Sequence, residues 1–386
     1  MTEKKSKKIV IIGPAYPYRG GNPTFITYVY FILSKRFDVK IYNYKLLYPS
    51  FLFPGTTQFD KSEVVFKKAP SERVVNSINP FNWIKVASKL RKENADLVVF
   101  NWWHPFFSFC HFTISFLIKR KYKGKILFIT ENFISHEGHF IDRMLTYFGL
   151  SNANIFLALS SEVENDLTRI AKGRKIYRSE LPVFEYKKDE TVNAESLKQN
   201  LGFEADSMIL LFFGYVRKYK GLDILLESMP DIVKYNPKLK LLVLGEFYDS
   251  PEGYFNIVKK HNLESSIKIV NRFIPNEEIE QYHKISELVI LPYRSATQSA
   301  ILNVAYGFGK PVVATKVGGL LEFVDDGKTG ILVEPESPAA IVDGIKKYFS
   351  LKDKVDFEKN IFEKVSSNTF NNLPELFEQM ISEIKE

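Results

Sequence analysis

Short apolar runs alternate along this chain with longer stretches in which apolar residues return every third or fourth position. The runs read as strands buried on both faces, the longer stretches as amphipathic helices. Residues 9–13 form the first expected strand, 14–23 a loop rich in Gly and Pro, 24–36 a helix and 39–44 the next strand. Asn79 and Pro80 supply an N-cap and a first-turn proline for a helix reaching Lys92. Further strands are expected at 97–100, 125–130 and 154–159. The last leads into Ser161-Glu162-Val163-Glu164, which reads as a capping box. Polar, mixed-charge residues from Leu181 to Leu201, with Pro182 among them, break the pattern and mark a domain boundary. The rhythm resumes with strands at 208–214, 239–245, 267–270, 288–293 and 311–315. Helices are expected at 222–235, at 276–285 (capped by Asn276, with Glu277 and Glu278 in its first turn) and at 299–308. Near the C-terminus Phe377, Met380, Ile381 and Ile384 fall at helical spacing.

Strands and helices in this order imply parallel sheets with helical crossovers. The expectation is an α/β protein of two Rossmann-like domains, 1–185 and 186–365, with a helix at about 366–386 packing back on the first. Ligands of such sheets bind beyond the carboxyl ends of the strands, so chemistry is sought in the loops there.

The length, 386 residues, fits that division at roughly 100–200 residues per domain. A single cysteine, Cys110, leaves no internal disulfide framework and points to the reducing cytoplasm. The lysine-rich start lacks the apolar stretch of a secretory signal. The most apolar segment, 106–118, contains His111 and several hydroxyls and reads as a buried or interfacial helix, not a membrane span. The net charge of +8 favours anionic partners, without choosing among nucleotides, nucleic acid and anionic lipid.

Four loops carry candidate chemistry. In Gly214-Tyr215-Val216-Arg217-Lys218-Tyr219-Lys220-Gly221, Gly214 frees the turn and Arg217 and Lys220 can reach a phosphate; a solvated basic loop is the plain alternative. The loop from Pro292 to Ala300 leads into a helix whose N-terminus suits phosphate, and Thr297 or Ser299 can cap that helix at the same time. The third loop, from Thr315 to Glu322, pairs Gly318 and Gly319 for close backbone approach, and Glu322 can accept from ribose hydroxyls or lie idle on the surface. Gly20-Gly21, in the first βα loop, is the fourth, either facing a ligand or making an ordinary turn. There is no G-x-G-x-x-G, Gly327-Lys328-Thr329 lacks the upstream glycine of a Walker loop, and no Cys/His set has zinc spacing.

Taken together and in order, these motifs resemble the family-four glycosyltransferases. The likeness is strongest in "FFGYVRKYKGLDILLES", "NRFIPNEEIEQYHKISELVILPYRSATQSAILNVAYGFGKPVVAT" and "VGGLLEFVDDGKTGILV". The resemblance implies a GT-B fold, two Rossmann-like domains facing each other across a cleft. It implies transfer of a sugar from a nucleoside diphosphate to an acceptor hydroxyl with retention and without a metal or other cofactor, as in cell-surface polysaccharide or glycolipid assembly. Arg217 and Lys220 take the place of the family's diphosphate-gripping pair. The family's two glutamates, eight positions apart, fall on Ala296 and Val304, so Thr297 and Gln298 are left to meet the sugar, and Ser299 and Ala300 the phosphates. The family's N-domain histidine falls on Glu131; nearby His136 either substitutes for it or is a core or surface residue. Base recognition is expected near Arg272-Phe273.

The acceptor, lipid-linked or saccharide, is expected on the N-terminal domain. There aromatic residues in "FNWWHPFFSFCHFTISFLIKRKYKGK" precede a Lys/Arg cluster at 119–125. That combination suits peripheral contact with an anionic membrane at the inner face of the cell envelope, against the alternative of core aromatics beside solvated lysines. Two other readings compete: a sugar-nucleotide-binding pseudoenzyme, which the missing glutamates favour, and an epimerase on the same fold. No nucleic-acid module is visible and the basic residues are dispersed, so nucleic acid is not the expected partner.

Overall fold

A computed structural model describes residues 6–53, 55–64, 67–120, 124–133, 140–183 and 193–383. His136 lies outside them. The described residues divide into two units. The first comprises those within Met1–Asp60, Phe66–Pro182 and Thr369–Glu386, the second those within Lys61–Val65 and Val183–Asn368.

Unit 1 runs β1 (Lys8–Ile12), α1 (Gly21–Leu33), β2 (Asp38–Leu46), β3 (Glu72–Asn76), α2 (Pro80–Glu93), β4 (Leu97–Trp102), α3 (Ser108–Lys119), β5 (Lys125–Thr130), α4 (Phe140–Gly149), β6 (Ile155–Ala158), α5 (Ser161–Ala171) and β7 (Lys175–Arg178). Unit 2 holds α6 (Ala194–Asn200), β8 (Met208–Phe213), α7 (Leu222–Tyr235), β9 (Leu239–Leu244), α8 (Glu252–Lys260), β10 (Ile267–Val270), α9 (Asn276–Ile285), β11 (Ser286–Leu291), α10 (Ala300–Gly307), β12 (Val312–Thr315), α11 (Gly318–Phe323), β13 (Gly330–Val333), α12 (Pro338–Leu351) and α13 (Phe357–Ser366). The chain then returns to unit 1 with α14 (Leu373–Ser382).

Both sheets are wholly parallel in their named ladders. Their strand orders are β3-β2-β1-β4-β5-β6-β7 and β10-β9-β8-β11-β12-β13. Each order reverses direction beside its first strand, at β1/β4 and at β8/β11, and such a switch point opens a crevice at the strand tips. The strand pleat builds unit 1's core on both faces of the sheet. Val10 and Ile12 of β1 point into one layer, with Phe100, Trp102, Phe107 and Ile114. Ile9 and Ile11 point into the other, with Phe25 and Ile26 of α1 and Phe377, Met380 and Ile381 of α14. Each such side chain, fully buried, contributes about 1.5–3 kcal/mol, so α14 is part of unit 1's stability.

Local chemistry sets the helix ends, and in three places it differs from expectation. The first helix begins at Gly21, not Thr24, because Gly20 (φ 104°) makes the turn and Pro23 fits the opening turn. Ser160, not Ser161, caps α5, its Oγ accepting from Val163 N at 3.3 Å. Asn276 does not cap α9: Pro275 holds that place, and the Asn276 amide donates to Val64 O at 3.2 Å. Glu277 likewise accepts from Glu63 N at 3.2 Å, which ties the 61–64 segment to unit 2. The polar stretch read as interdomain linker up to Leu201 contains α6, capped by Asn193.

Candidate functional site

Three loops of unit 2 converge at the tips of β8, β11 and β12. Gly214 follows β8 with φ 103°, in the left-handed region that side chains resist. A Cβ there would also lie 3.0 Å from both Lys220 Nζ and Ile301 Cδ1. Ile301 belongs to the first turn of α10, so the basic loop and the helix N-terminus meet at this glycine. A Cβ on Gly221 (φ 68°) would stand 2.0 Å from the carbonyl oxygen of Pro292. The third loop closes by the same means: Gly319 N donates to Ala296 O at 2.8 Å, and a Cβ there would come within 2.3 Å of Thr297 O.

Arg294 staples the first loop to the second. Its guanidinium holds Asp223 in a bidentate pair at 2.8 Å for each bond, Lys218 O at 2.7 Å and Glu336 at 2.9 Å. Its backbone N–H donates to Tyr219 O at 2.7 Å. Sequence reading left Arg294 without a role, since the arginine's partners come from remote parts of the chain. It also passed over Gly245 and Glu246 at the tip of β9. Gly245 (φ 143°) leaves a Cβ no room, at 2.1 Å from Gly214 O, and the buried Glu246 takes Val216 N on its carbonyl at 2.8 Å. The signal available was a second strand ending in glycine.

Two cations face this ground. Lys220 is only 6% exposed, and its Nζ lies 5.7 Å from the centroid of the Tyr293 ring. Burial brings its pKa down to about 7, and the Arg217 charge adds to the fall. Arg217 is half-buried and lies over the Tyr248 ring at 5.0 Å. Ser299 caps α10, Oγ accepting from Leu302 N at 3.2 Å, and Ala300 opens the helix. Thr297 is buried beside the 318–319 turn, and Gln298 is half-buried. Ala296 and Val304 are both packed inside, which leaves an apolar floor where the resemblance expected carboxylates.

The remaining predicted residues lie on other elements. Arg272 and Phe273 follow β10 at the sheet edge, and Arg272 is engaged with Glu278 at 2.5 Å. Glu322 is half-buried on α11. Gly20, Gly21 and Glu131 belong to unit 1, at that sheet's own switch point. Gly20 precedes α1; Glu131 follows β5, and burial lifts its carboxyl to about 7 while Asn101 opposes the rise. Asn22, with its amide turned to suit both neighbours, donates to Glu131 Oε2 at 3.0 Å and accepts from Trp103 Nε1 at 3.1 Å.

Two sheets of this topology, each with its switch point, define a GT-B protein. Solved structures share the fold over almost the whole chain. Anabaena HepE in complex with UDP and glucose matches with a TM-score of 0.73 at 17% identity, over 98% of this chain and 100% of that one. WaaG, described as a glycosyltransferase involved in lipopolysaccharide biosynthesis, matches with a TM-score of 0.63 at 15% identity, over 97% and 99%. Residues 193–364 match the family Glycosyl transferases group 1. A lipopolysaccharide 1,2-N-acetylglucosaminetransferase of Salmonella typhimurium is 29% identical over 199 residues, 48% of this chain and 51% of that protein. A D-inositol 3-phosphate glycosyltransferase of Thermobifida fusca is 31% identical over 152 residues, 38% and 35%. The chain spans about half or less of the length of these curated relatives.

Proposed function

We propose that this chain is a glycosyltransferase that moves a sugar from a nucleoside diphosphate to an acceptor hydroxyl with retention of anomeric configuration. The observation that carries the reading is the meeting of Lys220 and the first turn of α10 at one glycine, Gly214, with the Arg217 charge near enough to act on Lys220. In the reaction the bond from the anomeric carbon to the diphosphate oxygen breaks and a bond to the acceptor oxygen forms. The acceptor proton departs and negative charge gathers on the leaving diphosphate. Lys220 and Arg217 supply positive charge for it, and the free N–H groups at Ser299 and Ala300 supply oriented dipoles, with no metal required in this reading. Thr297 and Gln298 are assigned to the sugar, Glu322 to the ribose and the Arg272-Phe273 backbone to the base. On unit 1, Gly20-Gly21 shape the loop before α1. Glu131, poised near neutrality, is the group assigned to exchange a proton, with His136 as its neighbour in sequence.

UDP is the nucleotide to try first, because HepE was solved with it. The lipopolysaccharide enzymes among the relatives favour a saccharide or lipid-linked acceptor in cell-surface assembly, at the cytoplasmic face of a membrane. A pseudoenzyme that binds nucleotide sugar without turning it over is the second reading, favoured by the buried Ala296 and Val304. The test is calorimetric titration with UDP, GDP and ADP, followed by release of nucleotide from the matching sugar donors. Binding and Lys220-dependent release support the transferase. Binding without release supports the pseudoenzyme, and binding of none of the three sinks both.

A further inference from the structure

We propose that the outer face of α3 and α4 in unit 1 docks on an anionic lipid bilayer. The aromatic stretch at 100–125 divides in the structure: Trp102 and Phe107 lie in the core. Others in it, with residues of α4, face outward. On α3, Phe109, Phe112 and Phe116 lie along one stripe at helical spacing. On α4, Phe140, Met144 and Phe148 do the same. The two stripes fuse: Phe148 stacks on Phe112 with centroids 3.9 Å apart and packs against Phe109 at 5.6 Å, and Phe112 stacks on Phe116 at 5.8 Å. Phe140 is 77% exposed and Met144 57%. A helix of a water-soluble domain turns its apolar stripe inward; α4 buries only Thr146 and Gly149. A continuous apolar ridge of this kind marks an interaction surface.

Charge selects the occupant. Lys119, Arg120 and Arg143 are exposed at the ends and side of the ridge. From 106 to 125 the sequence has no Asp or Glu, and on α4 the one acidic residue is Asp142. A second copy of this chain meeting the ridge would set these cations against their like. An anionic bilayer accepts the rings at its headgroup boundary and attracts the cations. Among the described residues no helix is long and apolar enough to cross a membrane, so the contact is peripheral.

The experiment is flotation of the full chain with vesicles of phosphatidylcholine alone or mixed with phosphatidylglycerol. Wild type should float with the mixed vesicles at low salt and much less with phosphatidylcholine alone. The Phe140→Ser/Met144→Ser variant removes two exposed apolar side chains and should lower the partition coefficient at least about ten-fold. Arg120→Gln/Arg143→Gln should do likewise at low salt and lose its effect at high salt. Both variants should keep the wild-type melting temperature and UDP affinity, which separates this claim from the transferase reading. Wild type that fails to float with mixed vesicles at low salt, or variants that float like wild type, would overturn it. So would a wild-type dimer that Phe140→Ser/Met144→Ser dissociates and that binds no vesicle, since the ridge would then belong to a second copy.

Discussion

Lys220 can be removed with opposite consequences for folding and for binding. The lysine is buried, and burial together with the Arg217 charge pulls its pKa to about 7 from an ordinary 10.5. Below pH 7 the unfolded chain and the folded chain both hold the proton. The folded state then carries the full penalty of a buried cation, on the order of 4–5 kcal/mol from the gap between the two values. Between pH 7 and 10.5 the unfolded chain binds more protons than the folded one, so this group makes stability rise with pH there. Lys220→Met keeps the stem and removes the charge. At pH 6 it should raise the melting temperature of the free protein by on the order of 10 °C, at about 2–4 °C for each kcal/mol in a unit of this size. The same substitution should weaken UDP by roughly ten- to hundred-fold, the loss of one charge-assisted hydrogen bond at about 1.5–3 kcal/mol. In wild type, UDP affinity should fall as pH climbs above about 7, because the free protein gives up the proton the phosphate needs. Calorimetry from pH 6 to 8.5 and differential scanning fluorimetry read both effects. A Lys220→Met protein that melts lower at pH 6 and binds UDP like wild type would refute the reasoning.

Four further outcomes are expected. Gly214→Ala forces a side chain into φ 103° and a methyl against Lys220 Nζ, so it should cost about 1–2 kcal/mol of stability and at least ten-fold in UDP affinity, read by fluorimetry and calorimetry. Arg294→Lys should behave nearly as badly as Arg294→Met in UDP titration, because a point charge does not reproduce the fork that grips Asp223, Glu336 and the Lys218 carbonyl. Glu131→Gln should leave UDP binding intact while lowering donor turnover and flattening the pH–rate profile near 7. Phe377→Ala should destabilise unit 1 by about 3–5 kcal/mol in urea unfolding, whereas UDP binding by unit 2 changes little.

The strand skeleton was legible because double-sided burial leaves continuous apolar runs such as those of β4, β8 and β11. Edge elements were harder. β7 is four residues long with exposed ends, and β13 is a four-residue run, so neither stands out from a loop. At the candidate site, local signals revealed Gly214, Gly318 and Gly319, the basic loop and a cap at Thr297 or Ser299, of which the structure takes Ser299. The Arg294 staple and the Gly245–Gly214 contact depend on which strands become neighbours, and no local pattern encodes that. The environment of Glu131 is likewise a product of packing: its letter declares a carboxylate, and only burial makes it titrate near neutrality. The α4 helix shows the converse limit. Its periodicity reveals an apolar face but not that the face looks away from the protein.

The position of α14 has a consequence for synthesis. Unit 2 is one stretch from Val183 to Asn368 apart from the short piece around Ser62, whereas unit 1 draws Phe377, Met380 and Ile381 from beyond it. A ribosome therefore delivers the lysine loop and its supporting strands while the earlier-made sheet still has one apolar flank open to water. That flank must wait for the whole of its successor to emerge. Chaperone holding during elongation, or aggregation where holding fails, is to be expected on that side of the nascent chain.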